Sequence, residues 1–531
     1  MKKALTLFYL SLIVLSCGTT KQNPANVAET NNQHLKVVDP TVYGNSITAS
    51  ELKEMLYTYA SDEFEGRETG EPGQKKAVEY LKNYYMSLGI PTPLGDDDYF
   101  QEVPLEKQKL PEISITIDGK TYTNFEDFIS IGSASTTLLA VDDLVYAGYG
   151  IEDETYSDYK ALDVKDKIVL IKAGEPKNAD GTYVTSGSTQ PTKWVNGRQA
   201  RASKRDVAKS KGAKALIMMD NESFARYASF FAAAVKSGNF GRISLKSNDP
   251  EMIQFLVNEN FGKALLDNIN TDDVPKTLHK SLNIDIKGIS EDVSSENVVA
   301  FIKGSEKPDE IIVVSAHLDH EGVKGGQVYN GADDDGSGTI AILEMAEAFK
   351  EAVKNGHGPK RSVLFLHVTG EEKGLLGSRY YTDSDPIFPL ENTVVDLNID
   401  MIGRIDPKHE TNRNYVYLIG SDKLSTELHN ISEEANKKYT HINLDYTYND
   451  ENDPNRFYYR SDHYNFAKNN VPIIFYFSGT HADYHKPSDT PDKIEYDLYE
   501  TRVRLVFYTA WELANRDQRI VVDKPEKTET N

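Results

Sequence analysis

Five residues able to hold a divalent cation stand at or just beyond the ends of short apolar runs: His317, Asp334, Glu372, Asp400 and His485. The runs 311–316, 362–368, 393–399 and 471–477 read as buried strands. In an open α/β sheet, ligands gather in the crevice beyond the carboxyl ends of the strands. Two imidazoles and three carboxylates collected there suit a pair of divalent ions, with the extra carboxylate as a bridge. Glu371, beside Glu372, is a further carboxylate without an evident structural duty. Such a set performs metal-assisted hydrolysis. The expected fold class is α/β, with a mixed, mostly parallel central sheet flanked by helices.

The local contexts differ in how much they say. In His317-Leu318-Asp319 an extended backbone puts His317 and Asp319 on one face. A carboxylate beside a ligand imidazole holds its tautomer and raises its basicity. The stretch Asn330-Gly331-Ala332-Asp333-Asp334-Asp335-Gly336-Ser337-Gly338 is more specific. Three consecutive carboxylates repel one another and are costly to hold together without a cation. A helix follows, with Ile342, Ala346 and Phe349 on its buried face. A calcium loop fits less well, because the regular Asp-x-Asp-x-Asp spacing and the distal glutamate are missing. Glu371 and Glu372 can divide their work, one on metal and one over the attacking water. Asp400 ends a mostly apolar run, whereas His485 sits in a polar loop and gains meaning only as the fifth member of the set.

Together, His317-Leu318-Asp319, 331–338, Gly370-Glu371-Glu372-Lys373-Gly374, Asn398-Ile399-Asp400-Met401 and 485–490 resemble, in order, the M28 family of two-zinc aminopeptidases. Ser461-Asp462-His463 and Glu65-Gly66-Arg67 with Thr69-Gly70 fit as well. The resemblance covers 46–135 and 286–515, and 144–174 is similar to the protease-associated (PA) domain of many members. It implies two Zn2+ bridged by Asp334, with His317 and Asp400 completing one position and Glu372 and His485 the other. It implies Glu371 as general base for a metal-bound hydroxide, Asp319 as the residue orienting His317, and Tyr458, or its neighbour Tyr459, as the stabiliser of the tetrahedral intermediate. Arg404 and Arg460 are candidates for a substrate carboxylate or carbonyl, with a structural ion pair as the alternative for each. His320, His463 and His481 read as structural. The implied reaction removes N-terminal residues from peptides with a free N-terminus. Two rivals resemble the same fold: a glutaminyl cyclase working with one zinc, and a binding module that has lost its ligands. The intact Glu371-Glu372 pair, both histidines and the PA-like insert favour the peptidase.

The elements that must position these residues belong to a 531-residue chain, too long for one ordinary domain. A net charge of −23 excludes a nucleic-acid surface, which needs a basic stripe. Lys2 and Lys3 followed by the apolar 4–16 read as a signal segment, too short for a membrane span. Val14-Leu15-Ser16-Cys17 resembles the bacterial lipobox, so Cys17, the only cysteine, becomes an acylated first residue of the mature protein. This implies a membrane anchor in the bacterial cell envelope, facing the periplasm, and leaves no disulfide to staple the fold. The polar 18–39 reads as a flexible tether. The expected plan is a signal peptide at 1–16, a lipidated tether at 17–45, the first part of the catalytic domain at 46–135, a PA-like β-rich α+β insert at 136–285, the catalytic domain at 286–515 and a tail at 516–531. Within it, 50–88 carries two helices around a glycine-bearing loop, and 103–129 alternates as strands of the first part. In the insert, 144–149, 168–172 and 215–219 read as strands, and 198–211 and 249–268 as helices. No protein partner is expected.

Overall fold

The apolar runs become parallel neighbours in one sheet. Ile473–Phe477, Thr393–Ile399, Lys307–His317 and Arg361–Val368 lie side by side in that order and all run the same way. Both faces of these strands are covered, so Arg361–Val368, Thr393–Ile399 and Ile473–Phe477 are buried at every position instead of alternating. The computed structural model describes residues 38–131, 136–195, 197–236, 241–246 and 252–524. The signal segment, Cys17 and the tether as far as 37 lie outside the described residues.

The sheet has nine strands. Beyond Arg361–Val368 come Ser290–Ile302, Phe100–Gln108 and Arg242–Leu245, each antiparallel to its neighbour. On the other side Tyr415–Ile419 pairs antiparallel with Ile473–Phe477, and Asn443–Asp445 runs parallel beside it. The sheet is therefore mixed, with a parallel centre. Helices Gly338–Lys354 and Tyr496–Asn515 pack against it. Phe349 lies 5.1 Å from Phe507 and 5.7 Å from Trp511, ring to ring. Each such buried ring contributes roughly 1.5–3 kcal/mol of transfer free energy.

The N-terminal pair of helices forms as its sequence signals dictate. Thr48 caps Ala49–Tyr59: its hydroxyl accepts from the Glu51 amide at 3.2 Å and donates to the Glu51 carboxylate at 2.6 Å. Pro72–Leu88 starts on proline and ends on Gly89 in the left-handed region. Between the two, Gly66 has φ of 64°, and a Cβ there would meet the carbonyl oxygens of Tyr329 and Gly322 at 2.4 and 2.6 Å. Only glycine fits this crossing.

A second, eight-stranded mixed sheet is ordered Lys120–Tyr122, Glu112–Ile117, Lys276–Lys287, Thr137–Tyr146, Ile168–Lys172, Ala215–Met219, Ile253–Val257 and Phe128–Ser130. Phe128, Phe255, Phe261 and Tyr122 form part of its core. Two sequence expectations differ from this arrangement. Of the alternating stretch 103–129, only Phe100–Gln108 joins the large sheet; the strands at 112–130 belong to the second one. Alternation reports that a segment pairs, and says nothing of which sheet receives it. The helix expected over 249–268 is instead a strand, Ile253–Val257, followed by the short helix Glu259–Leu265. The strand is apolar at four of its five positions, Gln254 being the exception, and Asn258 caps the helix by accepting from the Phe261 amide.

One buried acid gives the fold a pH dependence. Burial, together with the charges of Glu51 and Glu347, pushes the Glu344 carboxyl up from 4.5 to about 8. The folded chain keeps a proton there that the unfolded chain releases. The contribution is therefore full below about pH 4.5, falls as pH rises toward 8, and is constant beyond. Glu344→Gln should raise the melting temperature at pH 8.5 by about 2–5 °C. The same substitution should have little effect at pH 4.5. A calorimetric shift of equal size at both pH values would show that titration is not the cause.

Candidate metal centre

His317 ends the strand Lys307–His317, and Asp400 directly follows Thr393–Ile399. Glu371 and Glu372 lie just past Arg361–Val368, and His485 is on the loop after Ile473–Phe477. Because the four strands are parallel, all four ends meet at one edge of the sheet. Asp334 enters from the loop that starts the helix Gly338–Lys354. A Cβ on Gly338 would lie 2.5 Å from the Ile399 carbonyl, so glycine lets that loop press against the strand leading to Asp400.

All five candidate ligands are brought together. His317 Nε2 is 3.2 Å from Asp334 Oδ1 and 3.7 Å from Asp400 Oδ1. His485 Nε2 is 3.0 Å from Asp334 Oδ2 and 3.4 Å from Glu372 Oε1. The two oxygens of Asp334 thus face two separate clusters. His317 Nδ1 lies 3.0 Å from the main-chain carbonyl of Asp319, which can only accept, so Nδ1 carries the proton. Nε2 then turns a lone pair toward two carboxylates. Such groups repel in a buried pocket unless positive charge stands between them. His317 Nε2, Asp334 Oδ2 and Glu372 Oε1 are buried without a hydrogen-bond partner among the described residues. Burial opposes a charged His317, yet Asp334 and Asp400 outweigh it and raise its pKa well above the ordinary value, so the carboxylates demand positive charge at this point, from a proton or from a cation. The donor set therefore fits divalent cations on both sides of Asp334.

The surrounding residues hold this geometry. The Asp335 carboxylate accepts from the amides of Gly338 at 2.8 Å and Met401 at 3.1 Å, and Asp333 Oδ1 from Gly403 at 2.6 Å. Of the three consecutive aspartates, only Asp334 faces the clusters; the other two fasten the loop after Asp400. Asp489 Oδ2 accepts from the amides of Asp333 and Asp334 at 3.0 and 3.2 Å, tying their loop to the one carrying His485. Arg67, 1% exposed, donates to the carbonyls of Leu318, Asn330 and Gly331, joining the segments after His317 and before Asp334. His485 itself has φ of 52° and Met401 φ of 63°, left-handed conformations that the packing imposes beside the ligands.

Several predicted residues are placed differently from their expected roles. Asp319 touches His317 through its carbonyl; its carboxylate is 4.0 Å from Nδ1 and instead accepts from the Glu371 amide at 3.1 Å and Thr69 Oγ1 at 2.6 Å. Glu371 lines the cleft with Asp334, Asp400 and His485. Tyr458 does not line it: its buried ring packs with Tyr459, Tyr464 and Lys423, while Phe457, Arg460 and Tyr484 reach the cleft. His463 and His481 bond to the Tyr458 carbonyl and approach Asp333, respectively. His320, read as structural, has Nδ1 2.9 Å from Glu372 Oε1 and 3.8 Å from Asp334 Oδ2. Glu321 Oε1 is 3.6 Å from His485 Nδ1. Both follow directly on His317-Leu318-Asp319, which was the available signal.

Residues 297–510 match the model of Peptidase family M28, a span that contains all five clustered ligands and Glu371. This segment resembles peptidase family M28. Aminopeptidase YwaD of Bacillus subtilis (strain 168) is 31% identical over 128 residues, 24% of this chain and 26% of that protein. Probable leucine aminopeptidase 2 of Aspergillus fumigatus is 26% identical over 445 residues, 82% of this chain and 72% of that protein. The match with YwaD thus spans about a quarter of the length of that relative. The solved aminopeptidase from Aneurinibacillus sp. strain AM-1 aligns over 91% of this chain and 98% of its own, with 18% identity and a TM-score of 0.48. The M28 segment carries the whole parallel centre of the sheet, so the family match and the metal centre coincide.

Proposed function

We propose that this protein is a zinc-dependent aminopeptidase that removes N-terminal residues from peptides with a free amino terminus. The observation that carries this reading is Asp334, whose two carboxylate oxygens face separate imidazole and carboxylate clusters. His317, Asp334 and Asp400 would hold one ion, and Asp334, Glu372 and His485 a second, with His320 beside the second. Zinc bound there supplies Lewis acidity that polarises a carbonyl and acidifies water. Glu371 is the proton carrier. Burial and the charges of Glu372, Asp462 and Asp400 hold its carboxyl well above the usual range, while the positive charge of His317, to which bound zinc would add, pulls it down. A carboxylate set between those pulls can take a proton from water at one oxygen and return it to the departing amine. The carboxylates crowding the cleft favour a substrate's α-ammonium. The relatives named as aminopeptidases support the same reading.

Purified protein should hydrolyse leucine p-nitroanilide and leave N-acetyl-leucine p-nitroanilide intact. Activity should vanish with a strong chelator and return on addition of Zn2+. Cleavage of the blocked substrate would reject an aminopeptidase, and pyroglutamate formed from a glutaminyl peptide would favour the cyclase.

The eight-stranded sheet is read as a PA-like domain inserted into the catalytic part. We further place the protein in a bacterial envelope, anchored by lipid on Cys17. Cys17→Ser should abolish incorporation of labelled fatty acid and move the protein from the membrane to the soluble fraction. Continued labelling would exclude Cys17 as the acylated residue.

A further inference from the structure

Arg404 and Arg460 both stand near the centre, and their surroundings separate them. Arg404 is committed to the fold. Its guanidinium is 3.0 Å from Asp483 Oδ2 and 3.7 Å from Asp489 Oδ1, and its side chain is only 14% exposed. Arg460 has no carboxylate within ion-pair distance among the described residues. Its guanidinium instead lies over the ring of Phe457, 4.9 Å from the centroid, with Nη2 3.5 Å from the Tyr484 hydroxyl. The Tyr484 ring in turn stacks on the His485 imidazole, 3.9 Å between centroids.

Arg460 is thus held by ring faces and a phenol instead of by an opposite charge. It lines the same cleft as Asp334, Glu371, Asp400 and His485. Around it the wall carries the apolar Met401, Phe457, Phe475 and Phe477 and the uncharged Ser461, Thr480 and Tyr484. In a chain of net charge −23, carboxylates are abundant, yet none among the described residues closes on this guanidinium. An arginine presents a planar fork of donors that matches a carboxylate in two-point geometry. Left open beside the reacting groups, that fork faces the substrate.

We propose that Arg460 anchors a substrate carboxylate close to the bond being cut, so that the site selects short anionic peptides. The inference rests on the aminopeptidase reading and names its substrate class. The carboxylate has two sources: an acidic side chain on the first residue, or the free α-carboxylate of a dipeptide. Either would pair with Arg460 while the substrate amine lies among the cleft carboxylates.

The test compares kcat/KM within two pairs of substrates on the zinc-loaded enzyme. Glutamyl against glutaminyl p-nitroanilide reads an acidic first side chain. Leu-Gly against Leu-Gly-amide reads the terminal carboxylate. At least one pair should favour the anionic member by about 5-fold or more, the scale of a charge-assisted pair partly open to solvent. That preference should vanish in Arg460→Gln and survive in part in Arg460→Lys, which keeps the charge without the fork. The pair that responds identifies the source. Ratios near unity in both pairs for the wild type, or a preference unchanged in Arg460→Gln, would overturn the proposal. Leucine p-nitroanilide serves as the control for the underlying reading. If the wild type cleaves it while both ratios are flat, only the role of Arg460 fails. If none of the five free-amine substrates is cleaved, the aminopeptidase reading fails and takes the inference with it.

Discussion

Glu371→Gln is expected to lower kcat by about 10²–10⁴-fold, the span of general acid–base catalysis, while zinc content stays at the wild-type level. The two effects separate because Glu371 is not part of either cluster around Asp334. Its main-chain amide is fixed by the Asp319 carboxylate at 3.1 Å, so the side-chain change leaves its position in the cleft intact. Glutamine has nearly the same shape but cannot accept a proton to become a neutral acid. Turnover of an aminoacyl anilide and elemental analysis on the same preparation decide the matter. A kcat within tenfold of wild type at full occupancy would remove Glu371 from the chemistry.

Asp334→Asn is expected to weaken zinc at both positions, each by more than about 100-fold, since removing a direct ligand should exceed the 10–100-fold cost of losing an outer partner. The argument is geometric. Oδ1 is 3.2 Å from His317 Nε2 and Oδ2 is 3.0 Å from His485 Nε2, so one side chain serves both clusters. An amide keeps one oxygen and offers a nitrogen that carries hydrogens where a lone pair is needed. Asp400→Asn touches only the His317 side and should spare the other ion. Metal content after dialysis against limiting zinc distinguishes the two variants. Retention of one ion at wild-type affinity in Asp334→Asn would assign this aspartate to a single position.

The strand ends were the most legible part of the chain. Buried parallel strands must be apolar along their length, so a charged residue where such a run stops stands out, as Asp400 and His317 do. The helices at 49–59, 72–88, 197–210 and 338–354 were also readable, because capping and apolar spacing act within a few residues, whereas Asn221–Lys236 and Tyr496–Asn515 were not read. Other features depend on contacts distant in sequence. Whether 112–130 joins the first or the second sheet is decided by Lys276–Lys287, which pairs with Glu112–Ile117, and by Ile253–Val257, which pairs with Phe128–Ser130, both from more than a hundred residues away. The role of Asp319 turned on a carbonyl, which every residue possesses and no spacing reveals. Tyr458 and Arg460 lie two positions apart, and only the local 3-10 turn at Phe457–Tyr459 directs one inward and the other to the cleft. Arg67 belongs here too: the stretch Glu65-Gly66-Arg67 stood out, but not that its guanidinium is buried against four carbonyls.

The short strand Arg242–Leu245 carries a practical consequence. It comes from the region that otherwise builds the smaller sheet, yet it zips onto Phe100–Gln108 at the rim of the larger one. The smaller lobe is therefore no detachable cassette. Excising it at the outer two of its four crossings would strip a row of main-chain donors and acceptors bare on Phe100–Gln108, an open template for sticking to other molecules. A truncated enzyme would need that rim blunted, for instance with a lysine or a proline, before it could be handled as a free catalytic lobe.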